Sequence, residues 1–501
     1  MSTVTEGSSL GGKSGESRWH TVEASKVVYE YTGPGQLGQI FADGVGRYLT
    51  GTTSQRPQLE LSWQRRMEIL PQGPSLQLAL VGSASCAIDE LGNIYSDTLW
   101  LQMESDPSLR PLRPGSTGTG INGLRGMQPE RIVADKNVRV ESKRLDAFTN
   151  RLDVYFKDGH VVPQSGDSDK LVLGSPSDRF RNAAQQNDKP SSRYQVRGDR
   201  LEINVARSGK EHQLQNIVMN GNVTCNELHA DPQRTSMEFK GDFFELSDLV
   251  NASEAGGGGT AQIRGAPATI RAPRINLFGN SINLSRDQNR FWIDGQGSAT
   301  VQLPEDIANR YRSRQPVADI RWEGSMEFDG RTIQCRDGVN VVGPAQRIFA
   351  DAVTATLSEK INFSDNSLDT SRIELDRLVA VGKVNVENRE LDESGWASVD
   401  RCQVRRLTVN HAEQTVIGEG PGWIETTRRT EADSPLSPRE NGGGVRGLTF
   451  LKVKFELGFD GSLAKRQMTF KDRIEAIYGP VNDWNQRLEF GPAAQLVPES
   501  A

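Results

Sequence analysis

The chain has no run of apolar residues near the roughly 18 that a membrane-spanning helix needs, and only 35% of its residues are hydrophobic. Globular domains reach about 45 to 50% on a count that includes glycine. These two shortages exclude helical membrane spans and disfavour a thick core. Histidine is scarce: His20, His160, His212, His229 and His411 are dispersed, with no i, i+4 pair, so the usual helical metal site is excluded. The four cysteines, Cys86, Cys225, Cys335 and Cys402, are far apart in sequence, form none of the close pairs of zinc or redox motifs, and read as small buried residues. No G-x-S-x-G elbow occurs. The formal net charge is -6 with both signs interspersed, so no basic stripe marks a nucleic-acid partner. The expectation is a protein that is not an enzyme and uses no cofactor or metal.

Glycine (50 residues) and proline (23) are plentiful, which suits many short strands punctuated by turns. Apolar and polar residues alternate almost throughout, as in Leu99, Leu101 and Met103, or Leu152, Val154 and Phe156. Period-2 alternation buries one face of a strand and wets the other. The pattern predicts an all-β chain with β-regions at 25–163, 193–304, 305–425 and 445–490. A loop or linker is expected at 164–192, a flexible insert at 426–444, further loops at Asp106–Asn122 and Asn251–Thr260, and tails at 1–24 and 491–501. One weak helical candidate is Glu305–Arg314, behind Pro304.

The chain also repeats itself. Leu59, Leu61, Trp63 and Met67 match Ala318, Ile320, Trp322 and Met326 position for position. Downstream, Ile94-Tyr95-Ser96-Asp97 matches Ile348-Phe349-Ala350-Asp351. Glycine-rich corners precede each copy at Gly33-Pro34-Gly35 and Gly295-Gln296-Gly297, and a third copy begins at Gly420-Pro421-Gly422. A single strand pair cannot bury its apolar face, so such modules must stack on their neighbours. Gly7–Ser14 fits the phosphate-loop formula G-x4-G-K-S, but no strand precedes it and no helix follows, so a flexible tail is the reading. The opening Met1–Gly15 is polar and lacks the apolar core of a signal peptide; an exported chain would need a start other than this one.

Asn216-Ile217-Val218-Met219-Asn220-Gly221-Asn222-Val223 and Phe239-Lys240-Gly241-Asp242 resemble the OstA/LptA family, which repeats a "G-N-V" turn and strand. The same cadence occurs at Asp135-Lys136-Asn137-Val138, Gly338-Val339-Asn340-Val341 and Val381-Gly382-Lys383-Val384. The resemblance implies an elongated repeat β-jellyroll or β-solenoid whose apolar slot holds acyl chains. It implies lipopolysaccharide or another lipid as cargo, other envelope proteins as partners through edge-to-edge strand pairing, head-to-tail self-association, and a place in the periplasm or cell envelope. Val138, Val140, Val223, Phe239, Phe243, Ile282, Phe291, Ile293, Trp322 and Phe328, together with Trp63, are the candidates to line the slot. The competing reading of each is ordinary sheet core. Two other functions stay open: a β-repeat scaffold for protein partners, and a β-helix enzyme acting on polysaccharide with Asp97 and Asp351 as acid and base. Because the two aspartates recur with the module, a turn or edge role is favoured for them.

Overall fold

The computed structural model describes residues 18–31, 38–52, 59–72, 75–88, 92–105, 127–142, 145–158, 193–208, 211–228, 237–247, 259–272, 274–303, 317–363, 374–392, 395–429, 447–465 and 467–491. Among these the protein is all-β, without a helix. It forms two compact units. The first holds β1 (Arg18–Glu30), β2 (Gln39–Thr52), β3 (Leu59–Trp63), β4 (Arg66–Gln72), β5 (Ser75–Ile88), β6 (Gly92–Ser105), β7 (Met127–Glu141), β8 (Leu145–Asp158), β9 (Arg193–Arg197), β10 (Arg200–Ser208), β11 (Glu211–Leu228), β12 (Glu238–Ser247) and β13 (Thr260–Ala272). The second holds β14 (Ile275–Ser285, up to Leu284), β15 (Arg290–Gln302), β16 (Val317–Trp322), β17 (Ser325–Phe328), β18 (Thr332–Val342), β19 (Gln346–Leu357), β20 (Leu375–Asp392), β21 (Gly395–Asn410), β22 (Thr415–Glu419), β23 (Gly422–Arg429), β24 (Leu448–Phe455), β25 (Gly458–Ser462), β26 (Gln467–Lys471) and β27 (Glu475–Val481).

Most strands run through a corner. In the pair β5–β6, Val81 faces Thr98 and Ala84 faces Ser96, so Gly82 and Ser83 on one strand stand against Asp97 alone on the other. The same two-against-one bulge occurs at Lys136-Asn137 in β7 against β8, Gly221-Asn222 in β11 against β12, Asp337-Gly338 in β18 against β19, and Gly382-Lys383 in β20 against β21. Both residues on the longer side have positive φ, for example 78° and 45° at Gly221 and Asn222. Gly, Asn and Asp adopt that conformation at the least cost, and each of the five pairs holds at least one Gly or Asn, beside Ser83, Lys136 or Lys383 in three of them. The bulge bends and twists a strand while its pairing resumes beyond. The expected turns between short strands are thus bends inside long ones: β11 and β20 each span 18 residues.

Several sequence-based boundaries shift. β1 begins at Arg18 and β23 runs to Arg429, so 18–24 and 426–429 are neither tail nor insert. The segment 164–192 lies outside the described residues, and the strands on either side of it share one sheet, since β8 pairs in parallel with both β9 and β10. Residue 304 is no boundary either, since β15 pairs with both β16 and β17. Gly7–Ser14, Gly33–Gly35, Asp106–Asn122 and Glu305–Arg314 lie outside the described residues.

Candidate functional site

Two apolar rows cross the inner face of the first unit. Beside the corners, Ala42, Met67, Leu80, Leu99, Ala134, Leu152, Leu201, Met219, Phe244 and Ile263 face one another strand to strand. Two residues farther out runs the row Ile40, Ile69, Leu78, Leu101, Ile132, Val154 and Ile203. From β2 to β10 both are sealed, and from Ile40 to Ile203 no side chain of the outer row is more than 8% exposed; past β10, Phe244 of the inner row and Ile217, Leu246 and Ala261 of the outer one are half-buried. One core cluster gathers these rows with Cys86, Ile94, Val138, Val140, Val223 and Cys225 from beyond the corners. Both halves of each bent strand therefore feed a single interior.

The second unit repeats the first row and changes the second. Next to its corners, Ile293, Met326, Cys335, Val353, Ala380 and Leu407 are paired in sequence and buried. The row beyond, Phe291, Phe328, Ile333, Ala355, Leu378, Val409 and Val416, is apolar throughout, and every member is half-buried. This is an uninterrupted apolar stripe across seven strands that keeps partial access to solvent. Phe363 packs edge-on against Phe328, with ring centroids 5.6 Å apart.

The repeat seen in the sequence has a physical basis. Trp63 stands opposite Gly46, Trp322 opposite Gly297, and Phe455 opposite Gly422. A side chain on Gly46 or Gly297 would run into the indole across from it, so each glycine is the cavity into which a large ring folds. Four residues past each ring come Met67, Met326 and Phe459, all buried. The counterpart of Gly295–Gly297 is thus Gly44–Gly46 rather than Gly33–Gly35. Trp322 Nε1 donates to the Gly295 carbonyl at 3.2 Å.

The slot candidates divide between the units. Val138, Val140 and Val223 are core residues of the first, with Phe239 packed against that core. Ile282, Ile293 and Trp322 are buried in the second, and Phe291 and Phe328 belong to its half-buried stripe. Phe243 departs from expectation: the corner at Gly241-Asp242 turns it to the face opposite Phe244, where the Arg264 guanidinium lies 3.8 Å from its ring centre.

Asp97 and Asp351 occupy the same corner position in different units. Asp97 accepts from Asn137 Nδ2 at 3.1 Å, and the Asp351 carboxylate lies against Gly382. Both brace a bulge. The four thiols are pushed up to about 12 by burial. No group of three potential metal ligands occurs among the described residues.

On the opposite face of the second unit, charge alternates across five strands: Arg347, Glu387, Arg401, Glu425 and Lys452 stand in successive register. Arg401 Nε is 2.8 Å from Glu387, and Arg401 also reaches Glu425, which is 2% exposed, at 3.4 Å. Arg487, beyond the last strand, meets Glu425 at 3.0 Å. Sequence reading missed this ladder, because its members come from widely separated strands.

No protein-family model matches the chain, and no curated protein matches it.

Proposed function

We propose that the chain is a non-enzymatic cell-envelope protein that holds the acyl part of lipopolysaccharide or another lipid against the inner face of its second unit. The half-buried stripe from Phe291 to Val416 carries this reading. Apolar side chains at the same place in β2 to β10 of the first unit are sealed by their neighbours, whereas these, like Ile217, Leu246 and Ala261 at the end of the first unit's row, keep surface that an acyl chain can cover. At about 0.8 kcal/mol per buried methylene, a chain of about twelve carbons gains roughly 10 kcal/mol before ordering costs. The β-repeat architecture and its corner cadence are in keeping with the OstA/LptA resemblance, from which the cargo class, the envelope location and edge-to-edge partners follow as parts of the same proposal.

A fluorescent fatty-acid probe on the purified chain tests it. Saturable uptake, displaced by lipid A and weakened at least tenfold by Phe328→Glu or Leu378→Glu, is the expected result, since a charge placed among methylenes must be desolvated. Absence of uptake by a folded, β-rich sample would defeat the reading. The sealed stretch from β2 to β10 favours a second role there: a rigid scaffold that presents its edges to protein partners.

A further inference from the structure

We infer that a recess on the charged face of the second unit binds an anionic sugar residue. It is distinct from the apolar stripe and does not depend on the lipid reading. The recess encloses about 250 Å³ between the β18–β19 turn and the end of β20, and its lining includes Pro344, Gln346, Arg347, Arg389, Leu391 and Trp396. That is room for one sugar ring and too little for a nucleotide.

Its walls divide by chemistry. Trp396 and Leu391 face each other across the β20–β21 pair and supply an apolar side for the carbon-bearing face of a ring. The Arg389 guanidinium stacks over Trp396, 4.5 Å from the ring centre, which fixes both groups before any ligand arrives. Arg347 and Gln346 supply donors at the other side.

The charge is positive and partly unspent. Both oxygens of Glu387 are engaged, one by Arg389 at 2.6 Å and the other by Arg401 at 2.8 Å. Arg347, directly across from Glu387, is exposed and left without a carboxylate among the described residues. Around the recess and along its ladder, Arg347, Arg389, Arg401, Lys452 and Arg487 make five cations against the two carboxylates Glu387 and Glu425. At the recess itself Arg347 and Arg389 stand against Glu387 alone, a surplus of one cation in a chain whose net charge is -6. A guanidinium with its fork free pairs a planar carboxylate or a phosphate in bidentate fashion. The ligand class is therefore a uronic acid or a sugar phosphate, with its ring on Trp396 and its anion on Arg347.

Calorimetric titration of the full-length chain with methyl glucuronide, glucose 1-phosphate, methyl glucoside and inorganic phosphate tests the assignment. One or both acidic sugars bind at least tenfold more tightly than methyl glucoside and than phosphate, and which of the two binds identifies the anion. Arg347→Gln, at an exposed position, lowers that affinity about tenfold while circular dichroism stays unchanged, and Trp396→Phe weakens the sugar without creating a preference for phosphate. Equal binding of neutral and acidic sugars, phosphate binding as well as either acidic sugar, an unaffected Arg347→Gln variant, or no heat with any acidic sugar would each overturn it.

Discussion

Arg401 and Glu387 face each other across β20 and β21 with 2.8 Å between Nε and Oε2, and the same guanidinium reaches Glu425 on the next strand. Burial on its own would raise the Glu387 carboxyl, but hydrogen bonding from Arg401 and the charge of Arg389 outweigh it and hold the group below its usual range. One arginine therefore joins three strands.

Replacing Arg401 by Met should lower stability by about 2 kcal/mol, because Glu425 stays buried with one partner fewer. Arg401→Lys recovers only part, since a single ammonium cannot span both carboxylates. Urea unfolding of the two variants and the parent checks the order; equal midpoints for all three would count against the ladder.

Asp153 has no exposed side-chain surface and receives Arg131 at 2.7 Å, Arg151 at 3.0 Å and Arg200 at 3.0 Å. Burial pushes its carboxyl up, and hydrogen bonds from Arg151 and Arg131 more than reverse that, so the folded group ionises below the ordinary aspartate value. Its stabilisation is complete above the unfolded value, about 3.9, and disappears as the pH falls through the lower folded one. Melting temperatures between pH 7 and 3 should drop at the acid end in the parent and less in Asp153→Asn, which starts about 2 kcal/mol weaker at neutral pH.

The glycine–tryptophan pairs separate two effects within three residues. Gly295 has φ of +77° and open space where a Cβ would stand, whereas Gly297 would drive a Cβ into Trp322. Gly295→Ala should cost about 1 kcal/mol from backbone strain, Gly295→Asn close to nothing, and Gly297→Ala about 2 to 3 kcal/mol from overpacking. Thermal unfolding resolves the three; a Gly297→Ala variant as stable as the parent would contradict the packing described.

Beyond β27 the chain returns over the outer face: Arg487 joins Glu425, Leu488 lies over Gly479, and Lys454 sits 4.2 Å from the Phe490 ring centre. Truncation after Val481 should destabilise the second unit by about 2 kcal/mol, the sum of one ion pair and partial burial of two apolar side chains. Limited proteolysis should then cut β24 and β27 sooner than in the full chain.

Much of this is legible in the sequence. Alternation located Leu99, Leu101 and Met103, or Leu152, Val154 and Phe156, and the shared spacing around Trp63 and Trp322 announced the repeat. The corner cadence is visible too, yet it reads as a turn, because nothing local tells whether pairing stops or resumes past two left-handed residues. Phe243 shows the cost. Counting by twos from Phe239 puts it inside, but β12 passes the corner with the one residue Asp242 against Gly221-Asn222, and that odd count shifts its parity and seats Phe244 there instead. The charge ladder and the parallel return of β9 and β10 beside β8 depend on register between distant segments, which no window of sequence contains.

In five hairpins the corner sets two residues against one, so a whole hairpin carries both halves of the corner count with it. Between β8 and β11 a single layer, β9 with β10, is instead accommodated by parallel pairing. Duplication in strand pairs leaves the inside and outside of every existing strand as they were, which offers a design rule for lengthening or shortening such chains.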